Sequence, residues 1–160
     1  MRVPRNNTPA GRVIVSFEEW VAAYTGPFAV QGVVELQPGG SIATCCRLGR
    51  VPNAPGVYLI DGLRAGVPTL CYIGKAGTMR QDGSFKDQGI AGRLTAKQQD
   101  MSRQQYFQQQ MAAYSFDALR FRWFVTFQDQ VRILPAKAEA DLLQAYFDAH
   151  SRLPLWNAGI

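Results

Sequence analysis

The middle of the chain contains two short apolar stretches that predict a β-hairpin. Residues 56–60 (GVYLI) and 69–73 (TLCYI) are almost wholly apolar, and Gly62 and Gly74 mark the points where each stretch gives way to polar sequence. Short apolar runs bounded by glycine are typical of buried strands. Because the connection between them is short, antiparallel pairing is favoured over a parallel crossover.

Apolar positions spaced three to four residues apart predict helices elsewhere in the chain. Ser16 and Glu19 have the form of a capping box, so a short helix is expected to begin there and to end at Gly26. The other predicted elements are, in chain order, a helix over residues 90–99, a helix over 102–113, a strand over 119–127 and a helix over 136–150.

These elements predict a mixed α/β fold of the α+β type. The order β-β-α-α-β-α gives a small three-stranded antiparallel sheet flanked by helices, formed by residues 54–160. Residues 1–53 are an N-terminal extension, which begins with a polar arm over residues 1–12 and holds a candidate strand between residues 28 and 36. The Gly- and Pro-rich segment over residues 37–55 is expected to be a connector.

Composition and charge restrict the compartment and the partners. The chain has 160 residues, which corresponds to about one domain. Its 17 basic and 12 acidic residues give a net charge of +5, which permits a polyanionic partner without requiring one. Its three cysteines form no C-x-x-C pair, which indicates reduced thiols. Because the sequence shows neither a signal peptide nor an apolar span of about 18 residues, we expect a soluble, cytoplasmic protein that does not bind membranes.

Groups suited to acid–base or metal chemistry are few. His150 is the only histidine and Glu139 is the only glutamate after Glu35, which excludes catalysis by two histidines and metal sites built from several of them. No G-x-x-x-x-G-K-[ST] or G-x-G-x-x-G loop occurs. Any metal-dependent chemistry must therefore use few protein ligands.

Two charged residues fall on helix faces that are otherwise apolar. Glu139 lies one turn before Leu142, and a carboxylate in such a position needs a cation, a metal ion or hydrogen bonds. A salt bridge to Arg120 or Arg122 would give Glu139 a purely structural role. Arg93 lies on the apolar side of the helix predicted over residues 90–99, where an arginine can also extend its charged end to solvent.

Taken together, five short motifs resemble the GIY-YIG endonuclease superfamily. They are GVYLI with Tyr58, CYIGKAG with Tyr72, GRL with Arg93, AKAEADLLQAYF with Glu139, and LPLWN with Asn157. The resemblance covers about residues 54–160 and depends on the order of the motifs along the predicted elements. The sequence departs from the family pattern at two places. The first motif reads GVY and not GIY, and Lys97 occupies a position where the family often has His or Tyr.

The resemblance implies an endonuclease that hydrolyses DNA phosphodiester bonds by a one-metal mechanism. Glu139 would bind Mg²⁺ or Mn²⁺, because one carboxylate suits a single ion better than a two-metal clamp. Arg93 would contact a non-bridging phosphate oxygen. Tyr58 would orient or deprotonate the attacking water with help from Lys75, and Tyr72 would contact the phosphate or hold that water. The sequence does not separate the roles of the two tyrosines.

Four further residues are expected to contact the substrate: Lys97, Asn157, Arg80 and Lys86. Arg80 and Lys86 lie in a long loop over residues 77–89, and loops at this place could touch DNA. Asn157 is expected to orient the site or the terminal segment rather than to take part in the chemistry.

Two other classes of function stay open at this point. The alternative is a nucleic-acid-binding module of the same fold that has no independent cleavage activity, and a third option is a structural adaptor. DNA is favoured over RNA as the partner. The protein could form a homodimer that reads a short palindrome, or it could recognise branched or damaged DNA.

Overall fold

The computed structural model describes residues 15–86, 88–98 and 101–159, so the predicted arm over residues 1–12 lies outside it. The helices in this part are α1 (Phe17–Thr25), α2 (Ile42–Leu48), α3 (Ile90–Thr95), α4 (Arg103–Tyr114) and α5 (Pro135–His150). The strands are β1 (Gln31–Leu36), β2 (Gly56–Arg64), β3 (Val67–Ala76), β4 (Thr78–Met79), β5 (Phe85–Lys86), β6 (Lys97–Gln98), β7 (Met101–Ser102), β8 (Ala118–Val125), β9 (Phe127–Gln128) and β10 (Val131–Arg132). None of the described helices is long and apolar enough to cross a membrane.

A four-stranded antiparallel sheet forms the centre of this mixed α+β fold, in the order β1-β8-β2-β3. β2 and β3 are the predicted hairpin, with Tyr58 opposite Gly74 and Ile60 opposite Tyr72. β8 lies on the other side of β2 and places Trp123 opposite Tyr58. The hairpin and its antiparallel pairing are confirmed. Both strands are longer than predicted, because pairing continues to Arg64 and Val67 at the turn and to Ala76 at the other end of β3.

The prediction of a three-stranded sheet is wrong, because the N-terminal extension contributes β1 to its edge. All six residues of β1 pair with β8. The predicted order of elements is not confirmed either, since α2 lies within the expected connector and the ribbons β4–β5, β6–β7 and β9–β10 interrupt the sequence of elements. Ser41 caps α2 by accepting a hydrogen bond from the Thr44 N–H at 3.2 Å, which allows a helix between flanking glycines and prolines.

Helices cover both faces of the sheet, so β2 is buried on each side. Tyr58 and Ile60 belong to a core cluster that includes residues of α2, α3 and α4. Val57 and Leu59 point the other way, into a cluster formed with α1 and α5. A strand that is buried on both faces is expected to be apolar at consecutive positions, which explains the unbroken apolar run of β2.

A buried ion-pair network attaches α1 to the sheet. Asp61 of β2 is 1% exposed and accepts hydrogen bonds from Arg120 and Arg122 of β8, each at 3.0 Å. Arg122 also pairs with Glu18 of α1 at 2.7 Å. The N-terminal extension is thus held on the sheet by charge as well as by the pairing of β1.

Candidate active site

An open cleft with a volume of about 660 Å³ lies where the end of β3 meets α3 and the start of α5. Its lining includes five residues that the sequence singles out: Tyr72, Lys75, Arg93, Lys97 and Glu139. These residues come from β3, α3, β6 and α5. The fold therefore brings together, on one surface, side chains that are far apart in the sequence.

Glu139 is a half-buried carboxylate with no hydrogen-bond or salt-bridge partner among the described residues. It lies early in α5, where the neighbouring Ala138 and Leu142 are fully buried. Within the described part of the chain its carboxylate makes no hydrogen bond and no salt bridge. Burial raises the pKa of Glu139, and the positive charges of Lys75 and Arg93 offset part of that rise. The carboxylate is therefore partly desolvated and available to a ligand in the cleft.

Arg120 and Arg122, the alternative partners of Glu139, are engaged elsewhere. Both bind Asp61 in the buried network between β2 and β8. The salt bridge that would have given Glu139 a purely structural role is therefore not formed.

Contacts with the segment before β2 hold α3 in place and turn Arg93 outward. The Ile90 N–H donates to the Ala54 carbonyl at 3.0 Å. A Cβ on Gly89 would lie 2.2 Å from the Ala54 nitrogen, so only glycine allows this close approach. Ile90 and Leu94 are fully buried, and Arg93 is exposed at the cleft.

Lys97 lines the cleft from a strand and not from a helix. The helix predicted over residues 90–99 ends at Thr95, because the chain becomes extended at Ala96. Lys97 then pairs with Ser102 in the ribbon β6–β7, and the Ala96 carbonyl accepts a hydrogen bond from the Arg103 N–H at 2.8 Å. Lys97 therefore lines the cleft from the ribbon, and Arg93 lines it from α3.

Tyr58 and Tyr72 lie at different depths. Tyr72 is half-buried and lines the cleft, whereas Tyr58 is 0% exposed, with 6.0 Å between the ring centroids. Gly74 packs against both, since its Cβ would lie 2.5 Å from Tyr72 Cε1 and 2.7 Å from the Tyr58 hydroxyl oxygen. Among the described residues that hydroxyl has no hydrogen-bond partner of ordinary geometry, although the Arg93 side chain lies near enough to act on its pKa. Burial raises the pKa of Tyr58 to about 12, although the charges of Arg103 and Arg93 act to lower it.

Asn157 binds the backbone of the strand that carries Tyr72. Its Oδ1 accepts a hydrogen bond from the Ile73 N–H at 3.0 Å, and its Nδ2 donates to the Ile73 carbonyl at 2.9 Å. The neighbouring Trp156 N–H donates to the Cys71 carbonyl at 2.7 Å. The C-terminal segment therefore closes part of the free edge of β3, and both the oxygen and the nitrogen of the Asn157 amide bind the backbone there.

Arg80 and Lys86 belong to the ribbon β4–β5 and its turn. Both are exposed, and neither is among the residues that line the cleft. Phe85 of this ribbon packs against Phe127 of β9, with 5.1 Å between the ring centroids. The ribbon thus carries two positive charges on an exposed surface outside the cleft.

Arg103 is a residue that the sequence analysis missed. It is 4% exposed and lies on the buried face of α4 together with Phe107 and Met111. The spacing of these three residues, four apart on one helix face, is a signal that could have identified an arginine directed into the core.

The residues of the cleft fit a cation that takes most of its ligands from water and substrate. No group of three or more His, Cys, Asp or Glu side chains in the described ranges is placed to hold a metal ion. Glu139 alone offers an unengaged carboxylate here, and hard cations such as Mg²⁺ commonly bind through one or two carboxylates, water and phosphate. The donor set fits one ion of this kind.

In comparisons with known proteins, no family model, curated protein or solved structure matches the chain. The resemblance to the GIY-YIG superfamily therefore rests on the motifs and on where the fold places their residues.

Proposed function

We propose that the protein is a GIY-YIG-type endonuclease that hydrolyses DNA phosphodiester bonds with one divalent cation. The observation that supports this most is Glu139, a half-buried carboxylate that forms no hydrogen bond or salt bridge with the described residues and shares a cleft with Lys75 and Arg93. A carboxylate suits a hard cation, and two positively charged side chains suit a phosphate. If Glu139 were purely structural, we would expect its carboxylate to form a salt bridge with a neighbouring arginine.

The proposal gives each of these residues of the cleft a role. Glu139 holds Mg²⁺ or Mn²⁺, and the bound cation supplies neutralisation of charge at the phosphate and activation of water. Arg93 binds a non-bridging phosphate oxygen and stabilises the charge that develops in the transition state. Lys75 and Lys97 add positive charge to the same surface. Tyr72, the tyrosine that lines the cleft, contacts the phosphate or holds the attacking water.

The test is nicking of supercoiled plasmid DNA in Mg²⁺ or Mn²⁺ by the wild type and by Glu139→Gln. Because a catalytic cation contributes several kcal/mol, the variant should lose roughly 100-fold or more in rate. Asp148→Asn, an exposed carboxylate on the same helix, is the matched control and should cleave at the wild-type rate. DNA binding measured in EDTA should be nearly unchanged in both variants.

A folding control follows from the burial of Glu139. Since burial raises its pKa, the ionised carboxylate destabilises the folded state at neutral pH, and the neutral glutamine should raise the thermal midpoint. Loss of cleavage by a more stable variant cannot be attributed to unfolding.

Each of the other results would point to a different function. Cleavage by Glu139→Gln at the wild-type rate would show that Glu139 does not bind the catalytic cation. Binding of DNA by the wild type without cleavage in either metal would identify a nucleic-acid-binding module. Absence of binding to plasmid, branched DNA and RNA would favour a structural adaptor.

A further inference from the structure

Three partly exposed aromatic side chains lie together beside the free edge of β3. The Trp156 ring is 6.0 Å from Tyr106 and 6.2 Å from Tyr114, measured between ring centroids. Tyr114 also stacks on Phe116, with 5.7 Å between the centroids and 15° between the ring planes. Tyr114 is 37% exposed, and Tyr106 and Trp156 are half-buried. Tyr106, Tyr114 and Trp156, the aromatic patch, therefore present ring surface to solvent.

The aromatic patch continues from the cleft along β3. The Trp156 N–H donates to the Cys71 carbonyl at 2.7 Å, which places Trp156 beside the residue that precedes Tyr72. Tyr72 lines the cleft, and it packs with Tyr106 and Trp156 against the same core cluster. These side chains are therefore on one side of the sheet, and a ligand that leaves the cleft past Tyr72 would meet the aromatic patch.

Positive charges lie near both ends of β3. Lys75, close to one end, lines the cleft, and Arg64, opposite Val67 at the other end, is exposed. The Arg64 guanidinium lies 5.4 Å from the centroid of the Phe116 ring and donates a hydrogen bond to the Tyr114 carbonyl. Its charge is therefore held next to the aromatic patch. The strand between the two charges spans about 26 Å, the length of about eight stacked nucleotides.

Packing of the C-terminal segment does not by itself require a tryptophan at this place. The Trp156 Nε1 atom is buried and has no hydrogen-bond partner among the described residues. Because a buried indole N–H is normally paired, phenylalanine would cover the same edge at a lower cost in free energy. Tryptophan adds a large flat ring, and aromatic rings combined with positive charges are the groups with which proteins bind unpaired bases and their phosphates.

We propose that the aromatic patch stacks the bases of a single-stranded DNA segment and that Arg64 binds one phosphate of that segment. Bases offer their faces to a protein only where they are unpaired, so this surface selects DNA with a single-stranded segment next to the cleft. Given the proposed nuclease function, on which this assignment rests, the substrate is a duplex joined to a single strand. The cleft acts on the backbone, and the aromatic patch holds the unpaired strand that leaves it.

Stacking on the aromatic patch can be measured from tryptophan fluorescence without any cleavage. Trp20 is 2% exposed and Trp123 is 5% exposed, so Trp156 is the tryptophan that an added base can reach. A thymidine oligonucleotide of about ten residues, added in EDTA, should quench the emission of the wild type in a saturable way. Trp156→Phe should not be quenched, and an abasic oligonucleotide of the same length should leave the wild-type emission unchanged.

The same oligonucleotide, labelled with a fluorophore, gives affinities by anisotropy. Tyr114→Leu keeps an apolar contact with Phe116 and removes the ring, so it should weaken binding about 5-fold or more and leave binding of a blunt duplex unchanged. Arg64→Gln should reduce the slope of log affinity against log salt concentration by about 0.7. Phe147→Leu, which removes an exposed ring from α5, is the matched control and should bind as the wild type does.

Three results would overturn the assignment. Equal quenching by the abasic and the base-carrying oligonucleotides would show that the surface binds phosphate and not bases. Equal affinity of the wild type and Tyr114→Leu for the single strand would show that the bases bind elsewhere. Absence of quenching, with a self-association that Tyr114→Leu abolishes, would assign the patch to a second copy of this chain. Plasmid cleavage without quenching would refute this assignment alone, and quenching without cleavage would refute the nuclease function while the nucleobase site stands.

Discussion

Replacing Asn157 by alanine should destabilise the protein because this amide completes the edge of β3. The side chain satisfies both the N–H and the carbonyl of Ile73, at 3.0 and 2.9 Å. Alanine removes both partners and leaves two backbone groups of a buried residue to find water. The same strand carries Tyr72 and Lys75, so the change should also loosen one wall of the cleft.

The size of the effect can be worked from these two hydrogen bonds. Each contributes about 0.5–1.5 kcal/mol, and a backbone group left without a partner costs about 1–3 kcal/mol where water cannot reach it. Because β3 is an edge strand, water can replace part of what is lost. We therefore expect a loss of about 2–3 kcal/mol, which for a domain of this size lowers the thermal midpoint by about 4–12 °C.

Urea unfolding followed by tryptophan fluorescence would measure this loss, with DNA binding measured in parallel. Gln144→Ala is the matched control, since it removes an exposed amide from α5 and should change stability by less than about 0.5 kcal/mol. If Asn157→Ala keeps the wild-type stability and loses DNA affinity, the structural role is refuted. Asn157 would then contact the substrate, as the sequence analysis expected.

Two further predictions concern stability. Asp61→Asn should lower the free energy of unfolding, measured in urea, by about 3 kcal/mol or more, because it takes the counter-charge from two arginines. Glu18→Gln should cost less than about 1 kcal/mol, because the Glu18 side chain is 61% exposed. Equal losses in the two variants would show that burial does not determine how much these ion pairs contribute. The pKa of Tyr58 is near 10 in the unfolded chain, and burial raises it to about 12 in the folded protein. The contribution of Tyr58 to stability is therefore complete below pH 10 and falls as the pH rises towards 12, by up to about 3 kcal/mol. Tyr58→Phe should reduce this alkaline loss in unfolding measured between pH 9 and 11, and an unchanged slope would mean that other groups cause it.

The candidate site shows which residues of a cleft a sequence can single out. Tyr72, Lys75, Arg93 and Glu139 were predicted from motifs in chain order, and the fold places all four in one cleft. Arg103 was not predicted as a buried residue, although its spacing with Phe107 and Met111 places it on the buried face of α4.

Local sequence determined the helices and strands whose signals lie within a few residues of each other. The capping box of Ser16 and Glu19 forms as predicted, with hydrogen bonds of 3.0 and 3.2 Å, because both partners lie in one helical turn. The apolar runs of β2 and β3 likewise determined a hairpin, since a short connection leaves antiparallel pairing as the favoured arrangement.

Only the tertiary structure decided which distant segments meet. β1 pairs with β8, a strand about ninety residues later, and no local pattern in residues 31–36 specifies that partner. Asp61 binds the arginines that were alternative partners of Glu139, so neither of them pairs with Glu139 at the cleft. Local patterns determine helices, strands and their apolar faces, because those interactions act within one or two turns. Which faces and charges meet depends on packing the whole chain around one sheet, so it is set only when the core forms.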